Sequence, residues 1–173
     1  MAAEVSMKLA RLLPLLLVAV ALPARADAPK VYASAALGFE AKFPYDVKEQ
    51  AAAEGGGTAA GFDPQGIMYM VGVTPANEEV GKRKTPKQQL DDGVDGAVGK
   101  VGDKLASQKD IKLGANPGRE FEVELKGGHA TMRAYLVGTR SYLVGVVHKD
   151  GTTLPMTPAD FFASFRLTGK PKK

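Results

Sequence analysis

Phe39, Ala41 and Phe43 alternate with Glu40 and Lys42 until Pro44 interrupts them, a period of two that predicts a half-buried strand. Residues 51–57 are small and glycine-rich and read as a loop, and two β-type runs follow, 58–62 and 67–74. Asp63-Pro64-Gln65-Gly66 between them is turn chemistry, so the two runs are expected to form a hairpin. Residues 75–84 are polar and charged and belong on the surface.

Two helices open in the same way. Thr85-Pro86-Lys87-Gln88 and Thr157-Pro158-Ala159-Asp160 each place Thr at the N-cap and Pro at the first helical position, with a polar side chain three residues on. In the first helix Leu90, Val94, Ala97, Val98, Val101 and Leu105 fall within one sector of roughly 100°, the width of a core-facing stripe. Gly93, Gly96, Gly99 and Gly102 recur every third residue on the side away from that stripe. Each weakens the helix by about 0.5–1 kcal/mol relative to Ala, so a fraying helix docked by its stripe is expected, with a break into two pieces as the alternative. The second helix is short, anchored by Phe161, Phe162 and Phe165.

From residue 104 to 149 the chain reads as strands: an edge element at 104–113, a turn at 114–118, then 119–126, 129–138 and 141–149. Gly127-Gly128 is taken as a two-residue hairpin connection with Lys126 facing His129. That register sets Val123 opposite Met132, Phe121 opposite Ala134, Leu125 opposite Ala130, Glu122 opposite Arg133 and Glu124 opposite Thr131. The next hairpin turns around Thr139 and Arg140 and places His148 across from Thr131.

The last strand is apolar on both sides, with Tyr142, Val144 and Val146 pointing one way and Leu143, Gly145 and Val147 the other. A strand buried on one face alternates with polar residues, and this one does not. Both faces of the sheet are therefore expected to be covered. The fold class is α+β, a central antiparallel sheet sandwiched by helices in three layers, with an exposed apolar face as the alternative.

The order of elements, with Gly118-Arg119-Glu120-Phe121-Glu122-Val123, Arg133-Ala134-Tyr135-Leu136-Val137, Tyr142-Leu143-Val144 and the closing Phe161-Phe162-Ala163-Ser164-Phe165-Arg166-Leu167, resembles PsbP-like exported domains over residues 31–168. The resemblance implies the sandwiched antiparallel sheet and a role as extrinsic subunit or assembly factor without a common active site. No functional residue is carried over with it.

The chain begins with a pattern of a different kind. Met7-Lys8-Leu9-Ala10-Arg11 is charged, 12–22 is apolar, and Ala24-Arg25-Ala26 is a small-residue cleavage site; translation from Met7 would give the cleaner leader. This is a secretory signal over residues 1–26, too short to span a bilayer, so the expected destination is the periplasm or the exterior. Residues 27–173 then form a single domain with short flexible ends and, once the signal is cleaved, no integral membrane span. Removing Lys8, Arg11 and Arg25 together with Glu4 lowers the net charge from +4 to +2, too weak a field for nucleic-acid binding. The chain has no cysteine, which excludes disulfides, thiolate catalysis, Cys-ligated zinc and a lipidated N-terminal Cys.

Candidate chemistry is sparse. His129 and His148 lack the company of Cys or an HExxH spacing, so neither a metal nor any other cofactor is expected. Ser34, Ser107, Ser141 and Ser164 do not sit in a Gly-x-Ser-x-Gly elbow, so no nucleophile is assigned. Asp91, Asp92, Asp95 and Asp103 give the first helix an acidic side without the EF-hand pattern, hence a solvated face. Lys82, Arg83, Lys84 and Lys87 gather near the start of that helix, and Lys170, Lys172 and Lys173 in the tail. The four cations at the helix start are one candidate partner-binding surface; Arg133, Tyr135 and Tyr142 are the other, should the second helix leave them bare. The functional expectation is a monomeric, non-enzymatic exported accessory or assembly domain that binds a protein or cell-envelope component. The alternatives are a carrier of a small apolar ligand between sheet and helix, and a small hydrolase built around the histidines.

Overall fold

A computed structural model describes residues 28–75, 82–101 and 104–169, without the side chains of 100 and 101. The leader 1–26, Gly102, Asp103 and the Lys170-Lys172-Lys173 tail lie outside the described residues. In chain order the elements are β1 (Lys30–Ser34), β2 (Phe39–Phe43), β3 (Val47–Ala51), a 3-10 turn (Ala53–Gly55), β4 (Gly57–Phe62), β5 (Met68–Pro75), α1 (Pro86–Val101), β6 (Lys104–Leu113), β7 (Asn116–Leu125), β8 (Gly128–Val137), β9 (Arg140–Lys149), α2 (Pro158–Ser164) and β10 (Arg166–Leu167). A seven-stranded sheet runs β3-β4-β5-β9-β8-β7-β6, and a three-stranded sheet runs β1-β2-β10. Every pairing is antiparallel.

β9, apolar on both sides, is the middle strand of the seven, which is where a strand without a polar face has to be. One face of the large sheet is covered by α1. Val94 and Ala97 pack there on Phe121, Val123, Ala130 and Met132, with Leu143 and Val147 of β9 at the margin. On the other face Tyr142, Val144 and Val146 join Tyr69, Val71 and Val73 of β5 beneath Phe39, Phe43, Phe161, Phe162 and Phe165. The small sheet and α2 thus close the side that α1 does not. The architecture is a sheet-dominated α+β fold.

The capping chemistry holds at both helix starts. Thr85 N–H donates to Gln88 Oε1 at 2.9 Å and Gln88 N–H returns to Thr85 Oγ1 at 3.3 Å, a reciprocal box. Asp160 N–H donates to Thr157 Oγ1 at 3.1 Å. α1 runs unbroken from Pro86 to Val101 despite its glycines. A Cβ built on Gly93, Gly96 or Gly99 meets open space, so these positions face outward and leave the packing to Leu90, Val94 and Ala97. Leu105 does not extend the helical stripe as expected; it lies on β6 and reaches the same cluster from the sheet.

The first hairpin is as expected: Asp63 Oδ1 accepts from Gln65 N–H and Ile67 N–H at 2.9 Å, and Phe62 pairs with Met68. The β7–β8 register differs from the sequence reading by two residues. The turn is Lys126-Gly127, with Leu125 opposite Gly128, so Phe121 faces Met132, Val123 faces Ala130, Glu122 faces Thr131 and Glu120 faces Arg133. The physical reason lies in the two glycines. Gly127 takes the positive φ (+81°) that a tight turn needs, whereas Gly128 is already in the strand, where a Cβ would strike the His148 carbonyl. Pro117 and Gly118 likewise belong to β7 and not to the preceding turn.

The small sheet is fastened to β9 through the β1–β2 turn. Tyr142 Oη donates to Leu37 O at 2.9 Å, and buried Arg140 donates through Nη1 to Ala36 O and Leu37 O at 3.3 Å each. Tyr69 Oη donates to Met156 O, tying β5 to the segment that leads into α2. Burial comes first among the causes that push its phenol up to about 12.

Candidate functional site

The basic residues at the start of α1 sit over an ion-pair chain. Lys84 Nζ lies 2.5 Å from Asp92 Oδ2, and Lys87 Nζ lies 2.9 Å from Asp91 Oδ2, one helical turn on. Asp91 Oδ1 is 2.6 Å from Arg119 Nη2, and Arg119 Nε is 3.0 Å from Asp110 Oδ1. The Arg119 side chain is 7% exposed, and Nη1 donates to Gln108 Oε1 at 3.2 Å. Its Nε and Nη2 are close to carboxylates without being aligned on them, so these two contacts act as charge proximity more than as directed hydrogen bonds. The hydrogen bond from Lys87, helped by the Arg119 charge, holds the Asp91 carboxyl below its ordinary range. Half of the acidic helix face expected to be merely solvated, Asp91 and Asp92, therefore neutralises cations, and Asp91 also clamps α1 to β7. Lys82 and Arg83 lie exposed just ahead of the helix.

Arg133, Tyr135 and Tyr142 do not form a free surface, because Phe162 of α2 and Phe165, which follows it, lie on them. Tyr135 is 4% and Tyr142 1% exposed. Phe165 stacks parallel to Tyr135 at 6.1 Å between ring centroids and tilts against Tyr142 at 5.9 Å. Arg133 places its guanidinium 4.5 Å over the Phe162 ring while Nε and Nη2 each approach Glu120 Oε2 at 2.6 Å. Lys109 reaches the other oxygen of Glu120 at 2.5 Å. Burial alone would raise the Glu120 carboxyl, but the hydrogen bonds from Lys109 and Arg133 outweigh it and leave the group below its usual range. The condition under which the sequence made these three residues a contact surface is thus not met, and they are core and clasp residues instead.

The histidines are closer to each other than the sequence reading placed them. His148 stands directly across from His129, not from Thr131, and their ring centroids are 6.0 Å apart. Glu124 stands across from His129 on its other side. Together with Ala106, Glu122 and Thr131 they line a cleft of about 300 Å³. A larger cleft of about 640 Å³ opens between β1, β2 and α2, lined by Pro29, Val31, Lys42, Asp160 and Arg166 among others. Ser164 borders it, but its hydroxyl donates to Phe161 O at 2.7 Å and accepts from Lys42 N–H at 3.0 Å, a joint between helix and sheet. Ser34 Oγ accepts from Leu37 N–H at 3.0 Å inside the β1–β2 turn. Among the described residues no three His, Asp or Glu side chains already converge as a cation cluster, and no helix is long and apolar enough to cross a membrane.

No protein-family model and no curated protein matches the chain. Among solved structures, cyanobacterial PsbP from Synechocystis sp. PCC 6803 is similar over 80% of this chain and 91% of its own, at 11% identity and a TM-score of 0.53. A crystal structure from Bacteroides thetaiotaomicron aligns with 84% of this chain and 50% of its own, at 15% identity and a TM-score of 0.46. At such identities the first likeness speaks to fold alone: the chain has a PsbP-like fold.

Proposed function

We propose that the chain is an exported, non-enzymatic accessory or assembly domain that acts as a monomer and binds another protein or a cell-envelope component. The reading takes residues 1–26 as a cleaved leader and the remainder as three layers: α1, the large sheet, and α2 with the small sheet. The observation that carries it is the covering of β9 on both sides, by Val94 and Ala97 on one and by Phe161, Phe162 and Phe165 on the other. With the broad faces occupied, recognition falls to edges and loops, and the exposed cations Lys82, Arg83, Lys84 and Lys87 at the start of α1 are the contact for an acidic partner surface, with Lys84 and Lys87 sharing their charge between Asp92, Asp91 and the partner. The carrier reading gains less support, because side chains fill the interface between α1 and the sheet, with Val94, Phe121, Val123, Ala130 and Met132 at 0–1% exposure.

The test is affinity capture from envelope extract with the native chain and with a variant carrying Gln at 82, 83, 84 and 87. The expected result is a partner held by the native chain, released by salt, and lost with the variant. The same proteins retained by both chains, or none retained by either, would refute the reading.

A further inference from the structure

The antiparallel register puts His129 and His148 on neighbouring strands at directly opposed positions, hence on the same face of the sheet. Glu124 continues the row on β7, and Glu122 sits one step along the same face. We propose that the two imidazoles form a binding site for a divalent transition-metal ion of the copper and zinc class, completed by Glu124, Glu122 or water. This inference does not depend on the accessory role proposed above.

Three observations carry it. The first is spacing. Two imidazoles bound to one tetrahedral ion at metal–nitrogen distances near 2.0–2.1 Å have ring centroids about 5 Å apart. The observed 6.0 Å is within the reach of a small χ2 adjustment of His129, which is exposed, against the half-buried His148. The second is how each ring is held. His148 Nδ1 lies 3.0 Å from Lys149 O, and His129 Nε2 lies 3.0 Å from Asp150 Oδ1. A carbonyl only accepts, so the His148 contact is made by an Nδ1–H and leaves Nε2 to face an ion, while the Asp150 carboxylate beside His129 Nε2 leaves Nδ1 of that ring as the atom to bind one. Ligating histidines are oriented in this manner, by a carboxylate or a backbone carbonyl behind the ring.

The third is the cleft. Its volume of about 300 Å³ is lined by His129, His148, Glu122, Glu124 and Thr131, which gives an ion and its remaining waters room and oxygen donors. Because no three ligands converge beforehand among the described residues, the imidazole pair is the nucleus of the site and a carboxylate or water fills the rest. Imidazole nitrogen selects borderline ions over Mg²⁺ and Ca²⁺, which prefer all-oxygen shells.

The test is calorimetric titration of the untagged full chain with Zn²⁺, alongside electron paramagnetic resonance of the Cu²⁺-loaded protein. The expected result is one ion per chain, imidazole nitrogen coupling in the Cu²⁺ spectrum, and no response to Mg²⁺. His129→Ala and His148→Ala should each weaken binding about tenfold or more, and Asp150→Asn by less, with far-UV circular dichroism unchanged. Undiminished binding in both histidine variants, a Cu²⁺ spectrum without imidazole coupling, or absence of binding would overturn the proposal.

Discussion

Replacing Phe165 by Ala removes the ring on which the roof over β9 converges. Phe165 is 1% exposed and meets Tyr135 in a parallel stack, Tyr142 at a tilt, and Phe39 of the small sheet at 5.9 Å. It follows α2 immediately and leads into β10, so the cavity it leaves lies where the helix, the small sheet and the large sheet meet. Deleting a buried phenyl ring costs about 3–5 kcal/mol. A domain of this size has about 5–15 kcal/mol in total, so the variant should fold but stand near its limit. In urea, at a slope of about 2 kcal/mol per molar, the midpoint should fall by about 2 M with the slope unchanged. Phe165→Leu, which keeps most of the volume, should lose no more than about 1.5 kcal/mol. A loss below about 1 kcal/mol for Phe165→Ala would refute the reasoning, since it would mean that the C-terminal segment does not pack on Tyr135 and Tyr142.

Three further outcomes are expected. Gly93→Ala and Gly96→Ala face open space on α1 and should each stabilise the protein by about 0.5–1 kcal/mol in thermal or urea unfolding; destabilisation would show that this helix face is covered. Gly118→Ala should destabilise by about 1–3 kcal/mol, because its Cβ would lie 2.5 Å from the Tyr135 ring and 2.7 Å from Ala134 O, and wild-type stability would contradict the register. The Glu120 carboxyl is depressed in the folded state, so its contribution is present above its unfolded value near 4 and is lost as pH falls through the lower folded value. Urea midpoints measured from pH 6 to 2 should therefore fall with acid, and Glu120→Gln should flatten that limb; an equally steep limb in the variant would sink the assignment.

The long, strongly patterned elements were legible. The twin Thr-Pro starts gave both helices, and the two-sided apolarity of 142–147 gave β9 its central place. What escaped was short or polar. β3 is Val-Lys-Glu-Gln-Ala with four exposed residues, β10 has two residues, and β1 carries a Val31 that is 63% exposed, so none of them shows a period to read. The β7–β8 register slipped because two adjacent glycines offer two turn placements, and only the close approach of the His148 carbonyl to Gly128 decides between them.

A separate difference of two residues in the β8–β9 pairing, where Val137 faces Arg140, concealed the meeting of His129 with His148, and the β7–β8 slip concealed only the place of Glu124 beside His129. The roofing of Tyr135 and Tyr142 was half legible, since the Phe161, Phe162 and Phe165 anchors were visible while their destination on the sheet was not. The pairing of Lys87 with Asp91 is signalled by their spacing of four on one helix face, whereas Lys84 precedes the helix and its pairing with Asp92 follows from no such spacing.

Amide hydrogen exchange along β9 tests the covered central strand most directly. If both faces are closed as described, the amides of 142–147 exchange only through global unfolding, at a free energy equal to that from denaturant, while those of the edge strand β6 exchange orders of magnitude faster. Protection in 142–147 no greater than in β6 would contradict the account.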